Sequence, residues 1–165
     1  NTILVKKLRR RRSRDNVLYH VIGMDEIQET DFYLIPNVAN GLSTFSEKEA
    51  RYWEETGMKG IGKIPVEKVI KMPLTPVNTI LEKYFPAAAP NLISIDVEGL
   101  DLEILKSLDF TRYQPEVICV EILLYDENQN GYKNEAIIDF MLSQQYKLYA
   151  DTRVNAIFCR QDIFK

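Results

Sequence analysis

Three acidic residues, Asp96, Glu98 and Asp101, crowd around Gly99 directly after the apolar run Leu92 to Ile95. Alternate residues of an extended chain share a side, so Asp96 and Glu98 fall together, and Gly99 permits a sharp turn beyond them. Two carboxylates so placed can serve as a general base, as a divalent-metal ligand set, or as anchors for an amine or hydroxyl. A helix cap needs only one carboxylate, which favours a functional reading of Asp96 and Glu98. Asp101 and Glu103 are expected to be no more than favourable charges at the start of the next helix. A further acid, Glu121, interrupts the apolar run of PEVICVEI. An unpaired buried charge is costly, so Glu121 needs a cation, a substrate group or an arginine, and a ligand-facing role is expected over an internal ion pair.

These acids act together only if the surrounding elements bring strand ends side by side. NVLYHVIG reads as a strand over 17–22 stopped by Gly23, and DFYLIP as a second over 31–36. Asn40-Gly41 signals a turn, after which Ser46 with Glu49 three residues on forms a capping box for a helix that Gly57 can close. The glycines of GMKGIGK therefore follow a helix and precede a strand, the reverse of a phosphate-cradling loop, and read as a C-cap and connector. A strand over 66–72 follows, then a helix with Thr75 as N-cap and Pro76 in its first turn. NLISIDVEG, LDLEILKSL, PEVICVEI, NEAIIDFMLSQQ, YKLYADT and NAIFCR then alternate strand, helix, strand, helix, strand, strand. Nearly continuous apolar strands alternating with helices predict a mostly parallel α/β sheet covered on both faces. The short Arg153 to Asn155 link leaves no room for a parallel crossover, so the last two strands must form an antiparallel hairpin. Ligands of such sheets bind beyond the carboxyl ends of the strands, where Asp96, Glu98 and Glu121 lie.

Composition narrows the class. At 165 residues, with 45% apolar and 27% charged residues, the chain is expected to be one globular domain spanning 1–165. Cys119 and Cys159 lie in apolar runs without CxxC spacing and read as free thiols. With no visible secretory signal, they point to a reducing, cytoplasmic setting. No run of about 18 apolar residues exists to span a membrane. His20, the sole histidine, reads as a strand residue, since no GxSxG elbow accompanies it. Neither a Walker A pattern nor a histidine-cysteine cluster is present, which argues against nucleotide hydrolysis and structural zinc. A net charge of −3 makes nucleic acid an unexpected partner overall. The local exception is KKLRRRRSR, Lys6 to Arg14, whose cations suit a helix C-terminus but also an anionic partner.

GLSTFS, TPVNTILEKYF and LISIDVEGLDLEILKSLDF followed by PEVICVEI together resemble the FkbM-type methyltransferases, over about Arg9 to Cys159. That resemblance implies a Rossmann-like methyltransferase sheet, S-adenosylmethionine as cofactor, and O-methylation of a hydroxyl on a sugar or small metabolite. It implies that Asp96 and Glu98 lie beside donor and acceptor, with Glu121 facing the same cleft, and it puts Ser43 and Asp96 next to the cofactor. In a metal-assisted variant Asp96 and Glu121 would hold Mg²⁺. The family's glycine-bearing loop, D-[VI]-G-A-[NH]-x-G, is absent from the sequence. The chain therefore resembles the C-terminal two-thirds of the family domain, lacking the first strands, and is expected to be inactive alone and prone to self-association through an exposed edge or face. The competing expectation is a non-catalytic interaction module that uses Lys6 to Arg14.

Overall fold

The computed structural model describes residues 2–17, 21–24, 29–35, 42–57, 60–97, 99–125 and 131–163. The opening segment is helix α1 (Thr2–Arg11), whose last turn carries Arg9, Arg10 and Arg11, where the helix dipole favours cations. Strand β1 (Val21–Gly23) pairs in parallel with β3 (Lys68–Pro76), and β2 (Glu29–Leu34) pairs antiparallel with β3 on its other side. Between β2 and β3 lies α2 (Glu47–Glu55). Gly57 follows it at φ +75°, and a Cβ there would meet the Gly62 carbonyl oxygen at 2.3 Å, so this C-terminal turn requires glycine. Strand β3 runs through Thr75 and Pro76, so Thr75 is a strand residue and Pro76 is the N-cap of α3 (Val77–Tyr84), without a side-chain cap.

The second sheet has the order β4-β5-β9-β8, built from β4 (Leu92–Ile95), β5 (Val117–Glu121), β8 (Tyr146–Asp151) and β9 (Asn155–Arg160). Strands β4 and β5 are parallel, while β9 runs antiparallel to both β5 and β8, giving the expected terminal hairpin. Helices α4 (Asp101–Ser107) and α5 (Glu135–Ser143) follow β4 and precede β8. A hairpin of β6 (Leu123–Tyr125) and β7 (Gly131–Lys133) intervenes between β5 and α5. Three-residue strands are too short to declare an alternation in sequence.

Among the described residues two of the six strand pairings are parallel, so the architecture is mixed rather than mostly parallel. Connection length accounts for two of the antiparallel pairs, since β6 to β7 and β8 to β9 are joined by links too short for a crossover; β2–β3 and β5–β9 are antiparallel as well. Coverage of both sheet faces is also corrected. Along β5 the alternation puts Ile118 and Val120, both fully buried, on one face, joined by Ile95, Ala156 and Phe158 from the neighbouring strands. Val77 and Leu81 of α3, Ile104 and Leu105 of α4, and Ile137 and Met141 of α5 pack into that same core. The opposite face is only partly shielded: Leu92 is 58% exposed, Ser94 is exposed, and Val117, Cys119 and Ile157 are half-buried. Among the described residues β4 has β5 as its one partner and forms an edge of its sheet. Cys119 and Cys159 are free thiols.

Candidate functional site

The carboxyl end of β5, the loop entering α4, one side of α2 and the β6–β7 hairpin line one cavity of ≈ 670 Å³. Its position follows from how α2 is held. Tyr33 of β2 and Thr44 exchange backbone hydrogen bonds, Tyr33 N donating to Thr44 O at 2.9 Å and Thr44 N to Tyr33 O at 3.2 Å. Thr44 is 1% exposed, and its hydroxyl links the start of α2 to the cavity wall. Oγ1 accepts from Ser46 N at 3.0 Å and donates to Glu49 Oε2 at 2.8 Å. Ser46 is the expected N-cap, its Oγ accepting from Glu49 N at 3.2 Å. The return half of the capping box runs through Thr44, which takes the Ser46 amide itself and leaves the Glu49 carboxylate on the cavity wall.

The opposite wall is the β4–α4 loop. Gly99 sits at φ +108°, and a Cβ built there would lie 3.4 Å from Ser46 Cβ, so this turn lies against the start of α2. Asp101, expected to be a simple helix-start charge, is 7% exposed and organises the loop. Its Oδ1 accepts from Val97 N and its Oδ2 from Gly99 N, each at 3.3 Å. Burial raises its pKa, the backbone amides of Gly99 and Val97 counteract this, and the Asp96 charge adds to the rise.

Glu121 ends β5 half-buried on the cavity wall. Its pKa is raised, first by burial and then by the charges of Asp96, Asp101 and Glu49. Among the described residues no ion pair reaches it. Asp96 is exposed just past the end of β4, off the cavity wall but near enough to act on both Glu121 and Asp101. Ser43 is half-buried beside the wall residue Leu42, and its Oγ accepts from Ile35 N at 3.1 Å, tying this loop to the end of β2. Glu98 and His20 lie outside the described residues. Among the described residues no group of three or more His, Cys, Asp or Glu side chains is placed to hold a metal ion.

Several wall residues carried no functional signal in sequence. Glu49 reads as a cap, and Tyr52, Trp53 and Tyr132 read as ordinary amphipathic positions. Only the tertiary approach of α2 and the β6–β7 hairpin to β5 brings these aromatic rings to the acids. The outcome is a concave site with aromatic surfaces, several carboxylates and the Asn134 amide, chemistry suited to a hydroxyl-bearing small ligand.

A mixed α/β domain with acids gathered at the carboxyl ends of adjacent parallel strands is the framework of many ligand-binding α/β enzymes. Residues 5–148 match the methyltransferase FkbM domain, and the chain belongs to this methyltransferase family. No curated protein and no solved structure matches it significantly.

Proposed function

We propose that this domain supports methyl transfer from S-adenosylmethionine to an oxygen of a sugar or small-molecule hydroxyl, with the cavity as the acceptor site. The observation that carries this reading is Glu121, a half-buried carboxylate with a raised pKa on the wall of a ≈ 670 Å³ cavity, in a chain of the FkbM family. A hydroxyl is a weak nucleophile, and a carboxylate whose pKa is shifted toward neutrality is a better acceptor for its proton. Glu121 takes that proton as the oxygen becomes nucleophilic. Tyr52, Trp53 and Tyr132 offer flat apolar surfaces for a ring, and Asn134 and Glu49 offer hydrogen bonds to its other hydroxyls. Asp101 acts one step back, holding the backbone amides of Val97 and Gly99.

When bound, S-adenosylmethionine supplies an electrophilic methyl group on a positively charged sulfonium. The donor set fits such a group in its charge: Asp96 is an exposed acceptor for a hydroxyl or ammonium, and the surrounding carboxylates complement a cation. Ser43, whose oxygen already accepts from Ile35 N, contributes its hydroxyl proton from the neighbouring loop. Glu98 is assigned, with Asp96, to orienting or deprotonating the acceptor hydroxyl. The glycine-bearing loop of the family pattern is not in the sequence, so on this reading residues 1–165 alone neither bind the cofactor tightly nor turn over. Calorimetric titration tests this: the 165-residue chain gives no saturable heat, and the same chain extended by a strand and a D-[VI]-G-A-[NH]-x-G loop binds at micromolar concentrations. Tight binding by the 165-residue chain overturns this placement of the site's halves. The exposed edge of β4 and the partly shielded face around Leu92 are assigned to self-association, which sedimentation over a concentration series checks; a strict monomer at all concentrations contradicts it.

A further inference from the structure

Helix α1 and the three residues that follow it concentrate the positive charge of the molecule. Lys6, Lys7, Arg9, Arg10, Arg11, Arg12 and Arg14 are seven of the 21 basic residues, leaving 14 against 24 acidic residues, a net charge of −10, in the rest of the chain. All seven are exposed. Two have local partners: Arg9 Nε donates to Val17 O at 2.9 Å, and Arg12 pairs with Asp15 at 2.5 Å. At about 100° per residue, Lys6, Lys7, Arg10 and Arg11 fall within an arc of about 140° along one side of the helix. Leu8, 45% exposed, flanks that arc. No helix among the described residues is long and apolar enough to cross a membrane, so the feature is a surface device.

We propose that α1 docks on an anionic phospholipid surface, with Lys6, Lys7, Arg10 and Arg11 against the headgroups and Leu8 at the boundary. Charge complementarity selects the partner. A bilayer approaches from one side, so the strongly acidic remainder of the chain can turn away from it. A nucleic acid that tracks a groove would bring its phosphates against that acidic remainder. The run Lys6 to Arg14 also contains no aromatic residue for base stacking, whereas a cationic helix face with an exposed leucine is the pattern of interfacial binding. The opposed charges of α1 and the rest of the chain also orient the domain, since only the α1 side is attracted to the surface.

Co-sedimentation with vesicles tests this. At low salt the chain binds vesicles of phosphatidylcholine with about 30% phosphatidylserine and leaves pure phosphatidylcholine vesicles unbound, and salt releases it as the Debye length shrinks. Each cation near the surface is worth about fivefold in partitioning, so Lys6→Gln, Lys7→Gln, Arg10→Gln and Arg11→Gln together lower binding by about 10²–10³-fold. These side chains are exposed, and circular dichroism verifies that the variant keeps its fold. Equal binding to neutral vesicles, no binding to anionic vesicles at low salt, or an unaffected fourfold variant each overturns the proposal. So does a DNA duplex that binds more tightly than the anionic vesicles.

Discussion

Replacing Thr44 with valine removes a hydroxyl from a 1% exposed position while keeping its shape. The hydroxyl links the start of α2 to the cavity wall, accepting from Ser46 N at 3.0 Å and donating to Glu49 Oε2 at 2.8 Å. A hydrogen bond to a charged partner contributes about 1.5–3 kcal/mol and a neutral one about 0.5–1.5 kcal/mol, so Thr44→Val should destabilise the domain by about 2–4 kcal/mol. For a domain of this size that lowers the melting temperature by about 5–15 °C. Urea titration of Thr44→Val against Thr44→Ser, which keeps the hydroxyl, separates the hydrogen bonds from packing. A double-mutant cycle with Glu49→Gln should show a coupling of about 1 kcal/mol or more. If Thr44→Val lies within about 0.5 kcal/mol of the natural chain, or the cycle shows no coupling, Thr44 does not hold Glu49 and this account of the α2 wall fails.

Gly99→Ala should cost about 1–2 kcal/mol through its left-handed backbone rather than through crowding, since the nearest atom to an added Cβ is at an ordinary 3.4 Å. Gly57→Ala should cost more, because a carbonyl stands 2.3 Å away, and equal losses on thermal melting would refute that distinction. Tyr146, whose buried hydroxyl donates to Pro115 O at 2.7 Å, has its pKa pushed up to about 12, chiefly by burial. The folded chain then holds this proton more tightly than the unfolded one, so stability falls as pH rises between about 10 and 12. Tyr146→Phe should lose about 0.5–1.5 kcal/mol at neutral pH and flatten that alkaline decline in denaturant titrations; an unchanged slope would contradict the assignment.

The long elements were legible in the sequence because burial imposes a period. LISI and VICVE are strands at the expected positions, and their apolar runs reflect a face packed on helices. Ser46 announced α2 through a local rule that tertiary structure did not override. The misreadings have physical causes. Pro76 obeys first-turn helix statistics, yet the pairing of β3 with β1 extends the strand through it. Asp101 looks like any first-turn acid, and its burial comes from the turn it folds around itself through the amides of Val97 and Gly99. Glu121 was identifiable because a lone acid in an apolar strand demands a reason, while Glu49 was hidden by a complete and sufficient local explanation. The aromatic wall depends on contacts distant in the chain, which no short pattern records.

The base assigned to Glu121 is tested most directly by the rate of methyl transfer. With methyl-labelled S-adenosylmethionine, a panel of saccharides and small alcohols, and residues 1–165 joined to the glycine-bearing loop, Glu121→Gln should lower kcat by about 10²–10⁴-fold. Cofactor affinity measured by calorimetry should stay nearly the same. The raised pKa adds a signature: the natural protein's activity should rise with pH through a value above the ordinary carboxylate range, and the residual activity of the variant should lose that limb. A Glu121→Gln enzyme that transfers the methyl group at the natural rate with the natural pH profile would contradict the account.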